Sequence, residues 1–108
     1  PQADAAFVEP AKLADYLLNL AHPDGGPKAV FFMAVGFSAD APDELGEALL
    51  EHVRRNDAQE VASVWGMRYI VDAPLRTPSG RTPWVRSVWE MWNSPPRFVT
   101  AYPSEPKP

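Results

Sequence analysis

The chain has 108 residues, 45% of them hydrophobic and 22% charged, with a net charge of −4. Length and composition fit one globular domain with a single core, spanning 1–108 with 1–9 and 104–108 as flexible ends. It holds no cysteine, which excludes disulfides and thiolate chemistry, and no apolar run approaches the roughly 20 residues that cross a bilayer, so no membrane partner is expected.

No charged-then-apolar leader is visible at the start. The chain begins at Pro1 rather than Met, which suggests an excised C-terminal domain or a trimmed chain. Charge is unevenly spread: residues 1–60 hold 11 acidic and 4 basic side chains, whereas residues 61–108 hold 3 acidic and 6 basic. The overall negative charge argues against bulk nucleic-acid binding. A basic sheet face that attracts an anion is compatible with it, and so are acidic helix faces that merely meet solvent.

In chain order, Pro10 fits a first helical turn, where its missing N–H costs nothing. Leu13, Tyr16, Leu17 and Leu20 then recur at helical spacing and predict a helix over about 10–21. The cluster His22-Pro-Asp-Gly-Gly-Pro27 must be loop. A second helix, about 27–35, is apolar nearly all round and ends at Gly36. A third, about 42–56, opens on Pro42 with Asp43 and Glu44 against its dipole and buries Leu45, Leu49, Leu50 and Val53.

Helical periodicity then ends. Strand patterns succeed it over about 61–72, with Gly66 as a bulge or bend, over about 82–92, and over about 97–103, joined by Thr77-Pro-Ser-Gly80 and Asn93-Ser-Pro-Pro96. Short connections make the strands antiparallel neighbours. The predicted class is α+β, helices first and then a meander of three to four strands packed on them. Strict alternation places Val85, Ser87, Trp89 and Met91 on one face and Trp84, Arg86, Val88, Glu90 and Trp92 on the other; it also puts Phe98, Thr100 and Tyr102 together.

Residues suited to chemistry are few. His22 and His52 stand at no chelating spacing, so no metal site and no cofactor are expected. His52, late in a helix that reads as exposed, is explained by a contact with the helix C-terminal dipole. His22 lies in a loop with Lys28 six residues on. An imidazole there suits general acid–base work and the ammonium an anionic transition state; the plain alternative is a helix cap beside a solvated charge. Arg81 and Arg86 suit bidentate phosphate contacts, against the alternative of cross-strand pairing such as Arg86 with Asp72 or Arg97 with Glu90.

Lys12-Leu-Ala-Asp-Tyr-Leu-Leu18, His22-Pro23, Lys28-Ala-Val-Phe-Phe32, Gly36-Phe37, Thr77-Pro-Ser-Gly-Arg81, Val85-Arg-Ser-Val-Trp89 and Arg97-Phe-Val-Thr-Ala-Tyr-Pro103 carry a resemblance. Together they resemble a bacterial domain family of unknown function, found as small proteins or C-terminal domains of polymorphic-toxin systems. More distantly, the element order and terminal motif are similar to the barnase, EndoU, colicin and RelE-like ribonuclease toxins, an analogy of fold.

That likeness implies metal-independent RNA cleavage by attack of a ribose 2′-hydroxyl on its own phosphate. It implies catalytic roles for His22, Lys28, Arg81, Thr100 and Tyr102, and substrate contacts from Arg86, Trp84 and Trp92, the tryptophans stacking bases. The implied partners are an RNA substrate and a cognate immunity or antitoxin protein. A pI near 5.0 favours a folded RNA such as tRNA over random strand. The site of action would be cytoplasmic, for a domain secreted or delivered at the end of a larger protein. The competing expectations are a non-enzymatic module binding a partner through an exposed tryptophan patch, and an immunity protein, which the acidic helical half would suit.

Overall fold

A computed structural model of the chain describes residues 2–64, 66–92 and 95–106 and has the expected α+β order. Helices come first, and a four-stranded antiparallel sheet comes after them in the order β1-β2-β3-β4.

Helix α1 (Pro10–Lys12) takes Pro10 in its first turn. It continues as a π-helical turn over Leu13–Leu17, closed where Leu18 N–H donates to Leu13 O at 2.8 Å. The helix thus ends at Leu17 rather than near residue 21. One extra residue in a turn rotates the succeeding side chains by about 100° around the axis. Leu13, Leu17 and Leu18 are therefore buried, Leu20 is 61% exposed against expectation, and Tyr16 is left at the rim, half-buried.

Helix α2 (Gly26–Ala34) and helix α3 (Pro42–Arg55) lie within a residue or so of their predicted spans. The α3 stripe of Leu45, Leu49 and Val53 is buried as its spacing requires.

The stretch expected as strand over 61–72 holds two strands, β1 (Gln59–Ser63) and β2 (Gly66–Pro74), with Ser63 paired to Gly66. Gly66 opens β2 straight after the turn. Its φ of +122° lies in glycine territory, and a Cβ there would stand 2.6 Å from Met91 O. Strands β3 (Trp84–Met91) and β4 (Arg97–Pro103) complete the meander. The predicted turn at Asn93-Ser94 lies outside the described residues.

Along β3 the alternation is the predicted one: Val85, Ser87 and Trp89 are buried against the helices, with Arg86 and Glu90 on the other face. Strand β4 departs from it. Val88 pairs with Thr100 but Trp89 pairs with Phe98, so Val99 is an extra residue, a β-bulge. Paired residues share a face. Phe98, opposite Trp89, and Ala101, opposite Ser87, both point to the core, while Thr100 and Tyr102 leave by the other side. The expectation that Phe98 shares a face with Thr100 and Tyr102 is corrected by that single insertion.

Trp89 and Phe98, both almost fully buried, meet edge to face at 5.3 Å between centroids. Burial of an indole of this size contributes roughly 4–6 kcal/mol before ordering costs. A second correction concerns His52, which is only 2% exposed. Its Nε2–H donates to Ala73 O at 2.9 Å, and Nδ1 accepts from the Ser87 hydroxyl at 2.8 Å, which itself accepts from Trp89 Nε1–H at 2.9 Å. Every polar atom of this inner chain is satisfied, which is the condition for burying it.

The segment before α1, expected as a flexible end, is tied down. Gln2–Ala5 forms a 3₁₀ turn, Ala6 is buried in the core, and Phe7 makes a parallel bridge to Arg97. Phe7 N–H donates to Pro96 O and Phe98 N–H donates to Phe7 O, each at 3.0 Å. This covers the outer edge of β4 as far as the bulge and leaves the edge beyond it to the helices. At the other end, Ser104 N–H bonds to Trp84 O at 3.0 Å. Among the described residues, no helix is long and apolar enough to cross a membrane.

Candidate active site

The loop His22–Pro27 folds back because two glycines let it. A Cβ on Gly25 would lie 2.0 Å from Tyr16 O, and one on Gly26 would lie 2.7 Å from Leu20 O. With no side chain in the way, the start of α2 packs directly on the π turn. His22 locks this arrangement: its Nδ1 accepts from Asp24 N–H at 3.0 Å and from Gly25 N–H at 2.9 Å, and its ring meets Tyr16 edge-on at 5.0 Å.

Lys28, half a turn into α2, is thereby delivered to Tyr16. Its Nζ donates to Tyr16 Oη at 2.5 Å and to Thr100 Oγ1 at 3.1 Å, and the two oxygens are themselves hydrogen-bonded at 2.8 Å. Three chain regions therefore close a triangle at the edge strand, and the bulge at Val99 is what aims Thr100 into it. The ammonium also stands 4.9 Å from the Tyr16 ring and 5.9 Å from the Tyr102 ring, and Lys12 adds a second cation 5.2 Å from Tyr16.

Burial alone would push the Tyr16 phenol up, but the hydrogen bonds from Lys28 and Thr100 and the charges of Lys28 and Lys12 outweigh it. The phenol is held below its ordinary value of 10.0. The group opens onto a cleft of about 560 Å³ lined by Lys12, Tyr16, His22 and Thr100 together with the acidic Glu9, Asp15 and Asp24.

Of the residues proposed from sequence, the fold brings His22, Lys28, Thr100 and Tyr102 together. Arg86 stands opposite Tyr102 in the sheet register and hydrogen-bonds to it, while gripping Asp72 with two bonds of 2.9 Å. The pairing alternative for Arg86 is thus present, and so is that for Arg97, which lies 3.5 Å from Glu90. Asp72 and Tyr102 raise the Arg86 guanidinium above even its ordinary value, so it stays charged at any working pH.

Arg81 is placed elsewhere. Its loop is anchored where Ser79 N–H donates to Val35 O at 3.1 Å, just past the far end of α2, roughly 10 Å along the helix from Lys28. Trp84 is on the Arg86 face, two residues away and half-buried. Trp92 is 62% exposed but sits beside Phe7 and Arg97, about 25 Å along the strand from Trp84. Trp89 is fully buried, so the three tryptophans form no common surface patch.

Tyr16 is the member that helical spacing concealed, because it occupied a slot in an apolar stripe. Among the described residues, no three His, Cys, Asp or Glu side chains gather where they would hold a metal ion.

The sequence model of the family described as domain of unknown function (DUF6883) matches residues 1–105. The chain belongs to this family. Among solved structures, this DUF6883 domain is similar to a chain of a contact-dependent growth inhibition toxin–immunity protein complex from Klebsiella pneumoniae 342. The two share 18% identity with a TM-score of 0.68, over 97% of this chain and 98% of that one. The likeness shows a common fold over their whole lengths. No curated protein matches the DUF6883 domain in sequence.

Proposed function

We propose that this domain is the RNA-cleaving part of a bacterial toxin system, acting without a metal by 2′-hydroxyl attack on the adjacent phosphate. The observation that carries the reading is the Lys28–Tyr16–Thr100 triangle at the mouth of an open cleft. Such a reaction needs fixed cations and donors around a phosphorane and a group that moves a proton. Lys28 and the Thr100 hydroxyl supply the first, with Arg86 next along the sheet face.

His22 contributes as a donor. Its Nδ1 accepts from two backbone N–H groups, so the ring carries its proton on Nε2, which can donate. Arg81 and Trp92, remote from the triangle, are assigned to contacts with a large substrate rather than to its reacting phosphate. A net charge of −4 weakens binding to random strand and favours a folded RNA such as tRNA. The whole-length likeness to a chain of a toxin–immunity complex supports both a toxin-system role and a cognate protein partner.

A second reading is that the domain is the non-enzymatic partner in such a system. The acid excess of residues 1–60, 11 acidic against 4 basic side chains, favours it. Two measurements separate these readings. Purified protein on total tRNA with EDTA present gives discrete fragments ending in a cyclic phosphate if the first holds, and its expression arrests growth. Intact RNA together with normal growth rejects it in favour of the second.

A further inference from the structure

A 2′-hydroxyl must lose its proton as it attacks, and the usual acceptor, an imidazole, is committed here to two backbone N–H groups. The carboxylates of Glu9, Asp15 and Asp24 line the cleft, but none of the three is a hydrogen-bond partner of the triangle, whose own bonds join Lys28, Tyr16 and Thr100. What stands inside it is a phenol. Tyr16 Oη accepts from Lys28 Nζ and is bonded to Thr100 Oγ1, with Lys12 Nζ 5.2 Å from the ring centroid. An oxygen that receives a bond from an ammonium, shares another with a hydroxyl able to donate once the phenol proton is lost, and has a second cation near its ring is placed to be solvated as an anion.

Resting on the RNA-cleavage reading, we infer that Tyr16 is the catalytic proton acceptor, working as a phenolate held by Lys28 and Thr100. The phenolate takes the proton of the ribose 2′-hydroxyl. The 2′-oxygen then bonds to phosphorus, the bond from phosphorus to the 5′-oxygen breaks, and the departing 5′-oxygen takes a proton from water in the open cleft. The hydroxide so formed recovers the phenol proton, which restores the starting state. Lys28 holds the phenolate through its Nζ bond and lies too close to Tyr16 to serve as the acid on the opposite side of an in-line displacement.

The groups around Tyr16 are Lys12 from α1, His22 from the loop, Lys28 from α2 and Thr100 from β4, with the carboxylates of Glu9, Asp15 and Asp24 lining the same cleft. Both cations favour the phenolate, so activity should rise with pH through the titration of this phenol. The test pairs a pH–rate profile on tRNA with a titration of tyrosinate absorbance, for the full chain and its Tyr16→Phe, Tyr16→His and Lys28→Gln variants. The expected result is an acid limb in the wild-type rate that coincides with a phenol titrating below the ordinary tyrosine range. Tyr16→Phe removes that titration and lowers the rate about a hundredfold to ten-thousandfold. Tyr16→His restores part of the rate with its acid limb moved toward the imidazole range, which a merely structural tyrosine would not do. Lys28→Gln raises the phenol titration.

Wild-type rates in Tyr16→Phe overturn this inference and leave RNA cleavage standing, as does an acid limb that survives in that variant. RNA left intact by wild type overturns both.

Discussion

Gly25 and Tyr16 are in backbone contact: a Cβ on the glycine would lie 2.0 Å from the tyrosine's carbonyl oxygen. This contact sets the position of α2, and with it Lys28. Gly25→Ala must push the two elements apart, because the obstacle is main chain and cannot rotate away. A loss of about 2–4 kcal/mol is expected, in the range of strained or overpacked sites, together with loss of activity. Thermal unfolding measures the first and tRNA cleavage the second.

Removing the hydroxyl of Thr100 while keeping its shape separates chemistry from packing. In Thr100→Val the melting temperature should stay within a few degrees, because the residue is only half-buried. Cleavage should fall about tenfold to a hundredfold, as when one fixed donor to a developing charge is lost. An unchanged rate would remove Thr100 from the site.

His52 gives the fold a pH dependence with a definite sign. Burial lowers its pKa below the ordinary 6.5, against the opposing pull of the Ala73 and Val85 carbonyls and the Asp72 charge. In the unfolded chain the ring protonates as pH drops through 6.5, whereas in the folded chain it does not. Stability is therefore full above about 6.5 and declines as pH falls toward the lowered folded value. Denaturant midpoints at pH 7.5 and 5.5 should differ in wild type. The difference should shrink in His52→Gln, which will also be less stable at both.

Arg86 and Asp72 form a paired unit in the sheet, with side chains 30% and 14% exposed. Arg86→Ala removes two charge-assisted hydrogen bonds from a largely covered carboxylate and should cost about 1–3 kcal/mol. Arg86→Lys keeps the charge but not the two-pronged grip, and should lie between. If Arg86→Ala loses cleavage but no stability, the pair is not the anchor that its geometry indicates.

The helices and the meander were legible because their signals are local. Pro10, Pro27 and Pro42 mark starts, apolar spacing marks the α3 stripe, and alternation marks β3. Three things escaped, each for a physical reason. The π turn at Leu13–Leu17 carries no composition of its own, so Tyr16 looked like a core residue and Leu20 like its neighbour. The bulge at Val99 is a fact about pairing between strands. His52 read as a surface charge because its partners, Ser87 and Ala73, come from strands 35 and 21 residues away. Lys28, His22 and Thr100 were visible as chemistry-bearing types, but what brings them together is the packing of Tyr16 against two glycines, which carries no signal at any one of the three.

Because Val99 is one residue too many for its partner strand, β4 is two half-strands in opposite phase. Its first half, through Phe98, answers to the core; in its second half Ala101 stays in the core while Thr100 and Tyr102 turn toward Lys28. A deletion of Val99 would join the two registers into one regular ladder in which Phe98 and Thr100 still face opposite ways, so what it removes is the bulge and not the orientation of Thr100. A scan along β4 scored for folding should therefore be sensitive at Phe98 and tolerant at Thr100. The same scan scored for cleavage should be most sensitive at Thr100 and Tyr102, with the boundary at Val99, which lines the cleft beside Thr100.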